Sequence, residues 1–208
     1  MKHKFTTIII ALAGLGVALA THANAVTLTY NFLENGSNLD LGATSTFTEG
    51  GFSLIANAFL TAGGPTDLFA KSAGVGETGL GTAFDPNHEI NTTNFVQLTL
   101  PTSPPSTFNM VLLASVQAGE QANVYFTHTS GTLNAATFIG SISGHDGSIT
   151  VPPGDQTGFI DITAGAANVL LHGAQITTAV PEPSSLAFLA LGAGGILTLH
   201  RRRKAASK

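Results

Sequence analysis

The stretch "VTLTYNFL", residues 26–33, alternates one residue at a time: Val26, Leu28, Tyr30 and Phe32 fall on one side, Thr27, Thr29 and Asn31 on the other. A period of two in Thr- and Val-rich sequence marks a strand with one buried face. The texture recurs in "GFSLIANAF", "NFVQLTL", "TFNMVLLASV", "ANVYFTHT", "NAATFIGSI", "GSITV", "GFIDIT" and "NVLLHGAQITTAV". Turn formers stand between these runs, among them "GGPTD", "DPNHE", "PTSPPS", "SGHDGS" and "VPPGD". Between Val26 and Val180 no long run keeps a 3.6-residue period, and no repeat of fixed length stands out. Many short strands at close spacing predict an all-β ectodomain over residues 26–179, a β-sandwich or jelly roll.

Charge is distributed unevenly. Between Val26 and Val180 the only cation is Lys71, against eleven carboxylates, a formal balance of −10. A field of that sign repels phosphate backbones and disfavours nucleic acid as a partner. The chain has no cysteine, which excludes disulfides, thiolate metal sites and a cysteine nucleophile.

The remaining cations sit at the two ends. Lys2 and Lys4 precede an apolar run from Phe5 to Ala20, and Ala23-Asn24-Ala25 follows. That order is a secretory signal over residues 1–25, cut by signal peptidase between Ala25 and Val26; an uncleaved anchor is the competing reading. At the other end, Ser184 to Leu199 is apolar and Arg201, Arg202, Arg203 and Lys204 close it. A helix of that length spans ~24 Å, short of a ~30 Å hydrocarbon core but within reach of a thin bilayer with snorkelling cations. The basic block would stay cytoplasmic. A buried core helix followed by a basic tail is the alternative. Pro181 and Pro183 bias Val180 to Pro183 towards an extended, exposed segment, the conformation a protease grips.

Val180-Pro181-Glu182-Pro183-Ser184, the short apolar run and Arg201-Arg202-Arg203-Lys204 together resemble the PEP-CTERM sorting signal of Gram-negative bacteria, over residues 180–204, with 205–208 as a cytoplasmic tail. The resemblance implies processing by exosortase near Pro181 to Pro183, after a membrane-anchored stage. It also implies delivery to the cell surface or an extracellular matrix, with exopolysaccharide or other matrix components as partners. The "AASK" after the basic block departs from the pattern. A GPI signal at Ser184–Ser185 competes, but its tail would end apolar. "ETGLGTAFDPNHEINTTNFVQLTL" followed by "SVQAGEQANVYF" is similar to a block recurrent in PEP-CTERM ectodomains, which supports the sandwich and implies no enzymatic activity.

Within the ectodomain, "GVGETG" (Gly74 to Gly79) fits the spelling of a dinucleotide loop, but Gly81, Pro86 and Asn87 leave no room for the helix such a loop requires. Asp67, Glu77, Asp85, Asn87 and Glu89 offer hard oxygen ligands in Gly-rich sequence, the chemistry of calcium; a solvated acidic loop is the competing reading. "SGHDGS" places His145 and Asp146 side by side in a turn, which is no triad without distant partners. His128 and His172 sit in strand patterns, and no catalytic residue is assigned.

Three readings of function follow. The first is an exported, exosortase-sorted, non-catalytic surface or matrix protein associated with exopolysaccharide. The second is a carbohydrate-binding module, calcium-dependent if the acidic residues hold the ion. With no Trp and only Tyr30 and Tyr125, it has few aromatic platforms for sugar faces. The third is a secreted hydrolase, which would need a deep pocket with paired carboxylates.

Overall fold

The computed structural model describes residues 23–32, 38–73, 77–100, 103–134 and 136–181. Two compact units divide the chain, one of Met1–Val26 with Ala179–Lys208 and one of Thr27–Thr178. Most of the expected signal sequence, and the apolar run and basic block after Pro183, lie outside the described residues. Among the described residues no helix is long and apolar enough to cross a membrane.

The described residues form fourteen strands in two sheets. The first sheet holds β1 (Ala23–Asn31), β2 (Leu39–Gly42), β6 (Leu68–Ala73), β7 (Glu77–Thr82), β9 (Ser106–Ala114), β12 (Gly147–Thr150) and β14 (Leu170–Pro181). Its order is β12-β9-β14-β7-β6-β2, with β1 beside β14. The second holds β3 (Thr44–Glu49), β4 (Phe52–Leu60), β5 (Pro65–Thr66), β8 (Asn94–Thr99), β10 (Gln121–Thr127), β11 (Thr137–Ser143) and β13 (Phe159–Ala166). Here the order is β11-β10-β13-β8-β4-β3, with β5 beside β4. From β7 onward every connection except β10–β11 passes from one sheet to the other. Such crossing ties two layers over one core, the sandwich expected from the alternating runs.

Alternation sets the core. In β4, Leu54, Ala56 and Ala58 point inward; β8 adds Val96 and Leu98, and β13 adds Ile160 and Ile162, all fully buried. The first sheet answers with Phe108 and Val111 from β9 and Leu171, Ala174 and Ile176 from β14. Truncating one of the large members, such as Phe108 or Leu171, removes transfer energy and leaves a cavity, a cost of about 2–5 kcal/mol.

Two features depart from simple alternation. The Gly-rich stretch read as an acidic loop is a hairpin: β6 pairs with β7 from Leu68↔Thr82 to Ala73↔Glu77. Its core-facing pairs are Leu68–Thr82 and Ala70–Leu80, while Gly79 and Gly81 share the opposite face with Lys71 and Phe69, a pattern too weakly apolar to show a period. Gly81 is required there, because a Cβ at that position would land on the carbonyl oxygen of His88 in the following loop. The second departure is in β8 and β13, where five consecutive residues are buried, so both faces are covered. Loops fold over the outer face of the second sheet at these strands.

Candidate functional site

Lys71 stands in the middle of β6, opposite Gly79 of β7. Its side chain is 9% exposed, and its Nζ lies 2.5 Å from Oε1 of Glu89 and 3.0 Å from Oε2 of Glu77. Burial alone would lower the lysine pKa, but the hydrogen bonds and charges of Glu89 and Glu77 outweigh it and hold the pKa above its ordinary value. The ammonium therefore stays charged throughout the physiological range. Glu89 is brought there by the loop after β7, whose own geometry is set by Asp85. That buried carboxylate accepts the Asn87 amide N–H and the Asn91 side-chain amide, each at 2.8 Å, and the Asn168 side-chain amide at 3.3 Å.

Around the ion pair a polar cleft opens, lined by Lys71, Glu77, Asn87, Glu89, Glu120 and Asn168 among others. Glu120 is positioned by its own turn, its Oε2 accepting the Gln117 N–H at 2.6 Å. His88, Ser115 and Ala167, in the loops bordering this cleft, carry positive φ values of 60°, 57° and 54°. Left-handed backbone at non-glycine residues costs on the order of 1 kcal/mol or more each. The loops accept that cost where they converge on the cleft. The His88 ring stacks on Phe69 with centroids 3.9 Å apart, and its Nδ1 is buried without a partner.

The five candidate calcium ligands thus separate into distinct places. Glu77, Asn87 and Glu89 share the cleft, with both glutamates on Lys71. Asp85 lies behind them, bonded to amides. Asp67 is exposed between β5 and β6, its carbonyl accepting the Ala83 N–H, and does not line the cleft. Among the described residues no group of three or more His, Asp or Glu side chains is arranged to hold a metal ion.

The other sequence candidates are accounted for locally. Residues 74–76 of the glycine motif are outside the described set, and Glu77 to Gly79 lie in β7, so a strand follows where a dinucleotide site needs a helix N-terminus. Asp146 accepts the Val116 N–H at 2.9 Å and pins that turn, while His145 is exposed. His128 packs edge-on against Phe126, and the His172 carbonyl accepts the Phe32 N–H. Lys71 itself was noticeable in the sequence only as the lone cation of the ectodomain.

The described parts of the expected processing segments lie at strand ends. Extended backbone begins at Ala23 and runs through the Ala25–Val26 junction, where Asn24, Ala25 and Val26 are exposed. At the other end β14 is extended through Val180 to Pro181. The protein-family model of the PEP-CTERM protein-sorting motif matches residues 179–204. The chain therefore carries a PEP-CTERM sorting motif, the signal of exosortase substrates. The motif implies export and delivery to the surface or the extracellular space. The match covers the tail alone and leaves the sandwich unassigned. Among curated proteins none matches the chain.

Proposed function

We propose that this PEP-CTERM protein is a non-catalytic component of the cell surface or exopolysaccharide matrix, delivered by its tail. Signal peptidase cuts after Ala25. The run from Ser184 to Leu199 then holds the precursor in the inner membrane with Arg201 to Lys204 on the cytoplasmic side, and exosortase cuts near Pro181 to Pro183. The observation that carries the reading is the position of the motif: it begins where the sandwich ends. Among the described residues Ile176 is the last in the core and Thr178 the last buried, its hydroxyl 2.9 Å from that of Ser106. A cut after Pro181 leaves all of these described core residues in the released chain. Fractionation of the host with and without its exosortase tests this. The protein is expected in the surface or matrix fraction of the wild type and in the membrane fraction of the exosortase-deficient strain. An identical distribution in both would overturn it.

The cleft favours a second reading, carbohydrate binding. Carboxylates of Glu77, Glu89 and Glu120 and amides of Asn87 and Asn168 are the donors and acceptors that recognise sugar hydroxyls. Calcium dependence in that reading requires Glu77 and Glu89 to exchange the Lys71 ammonium for the ion. Calorimetric titration of the protein with the host's purified exopolysaccharide, with and without millimolar calcium, tests both points: heat of binding supports the site, and calcium-enhanced binding supports the ion.

A further inference from the structure

The β10–β11 connection is longer than a tight hairpin needs, and its residues 129–134 fold back over the outer face of the second sheet. The order β10-β13-β8-β4 means that a segment leaving β10 must pass over β13 and β8 to reach β4. It does so: Ser130 Oγ and the Gly131 N–H donate to Oε1 of Gln97 on β8, at 2.9 and 3.2 Å. Gly131 then sits against the Phe59 ring of β4, with φ at +74°, where a side chain would meet both strain and the ring. Beneath this strap lies Asp161 of β13, fully buried. Its Oδ1 accepts from Gln97 Nε2 at 2.7 Å, and its Oδ2 has no partner. Gln97 therefore joins the two, one end of its amide on the carboxyl group and the other on the strap.

We infer that residues 129–134 are a strap that closes over sheet β11-β10-β13-β8-β4-β3 when Asp161 is protonated and is released when Asp161 ionises. A neutral carboxyl with one open oxygen is tolerable in a covered site. A carboxylate there, with a single hydrogen bond and no cation, is far costlier, and uncovering it to water relieves the cost. The surroundings offer no compensation: β8 presents neutral Gln97, β10 the phenol of Tyr125 opposite Asp161, and the strap the Ser130 hydroxyl. His128, at the foot of the strap, packs on Phe126, and the ion pairs among the described residues involve only Lys71 with its glutamates. Burial accordingly pushes Asp161 from 3.8 to about 7, with the Gln97 bond pulling weakly the other way. Release uncovers Gln97 and Asp161, the buried middle of a row that the strand register carries across the sheet, Thr44–Asn57–Gln97–Asp161–Tyr125–Phe138.

Amide hydrogen exchange on the full chain from pH 4 to 8, corrected for intrinsic exchange, tests the strap. With Asp161 returning to its ordinary value when open, protection of Gly131 falls about tenfold per pH unit between about 4 and about 7, then levels off. Val96 and Leu98 of β8 remain better protected than Gly131 at every pH, because the sheet stays closed. In Asp161→Asn the slope vanishes. In Ser130→Ala, which touches only an exposed tether, protection of Gly131 drops about fivefold at all pH values with the slope kept. Protection of Gly131 that is flat with pH in the native chain, an unchanged slope in Asp161→Asn, or equal protection of Gly131 and Val96 would each overturn the inference.

Discussion

Lys71 and Asp161 are both ionisable side chains buried in strands of this sandwich, one in each sheet, and they meet burial in opposite ways. Lys71 has two carboxylates within 3.0 Å and is held charged. Asp161 has one neutral amide and an open oxygen and is pushed towards neutrality. The difference is in partners rather than depth: a buried charge persists where an opposite charge is supplied and is driven off where only a dipole is offered. The paired group ties β6 to the loop after β7 and so shapes the cleft. The unpaired one makes the cover of the second sheet sensitive to pH.

Removing the lysine charge breaks the comparison most severely. Lys71→Met strands Glu89 as a buried, uncompensated carboxylate, and denaturant unfolding should show a loss of about 3–5 kcal/mol. A loss under 1 kcal/mol would mean that Glu89 reaches water without its partner.

The acid side is broken by pH alone. The folded value of Asp161, about 7, lies above its ordinary 3.8, so unfolding favours ionisation. Its contribution to stability is complete below pH 4, is lost as pH rises towards 7, and is flat above. The full difference is at most roughly 4 kcal/mol. Unfolding of Asp161→Asn should lack this slope, and the difference between the two pH curves isolates the group.

Smaller changes sharpen the contrast. Ser130→Ala, which removes one of the two bonds from the strap to Gln97, should cost about 1 kcal/mol. Glu77→Gln should cost less still, under about 1 kcal/mol, because the Glu77 side chain is 40% exposed and Glu89 continues to pair the ammonium. A larger effect at Glu77 than at Lys71 would invert the assignment of the buried partner.

The readability of these features in the sequence follows from local signal. β4, β8, β9, β10, β13 and β14 announce themselves because large apolar residues alternate or cluster in them. β3 has the same alternating burial, but in "TSTFTE" only Phe47 is apolar, so the period is invisible. β6 and β7 are hidden by glycine, alanine and a lysine. The cluster of acidic residues was legible as chemistry, whereas the cation facing two of them is supplied by a strand that looked like loop. Asp161 between Ile160 and Ile162 was visible as a charge in an apolar strand. Its burial on the outer face was not, since that depends on a segment more than 25 residues earlier in the chain folding back across β13. Only the tail was legible outright, because proline, an apolar run and a basic block act through their order in the chain.

On the proposed route the tail is removed and the sandwich is delivered whole. Intact-mass analysis of the protein recovered from the host's surface or medium tests it most directly. The mature chain should begin at Val26 and end near Pro181 to Pro183, with its β-rich fold retained. A surface-located chain still carrying Arg201 to Lys208 would contradict it.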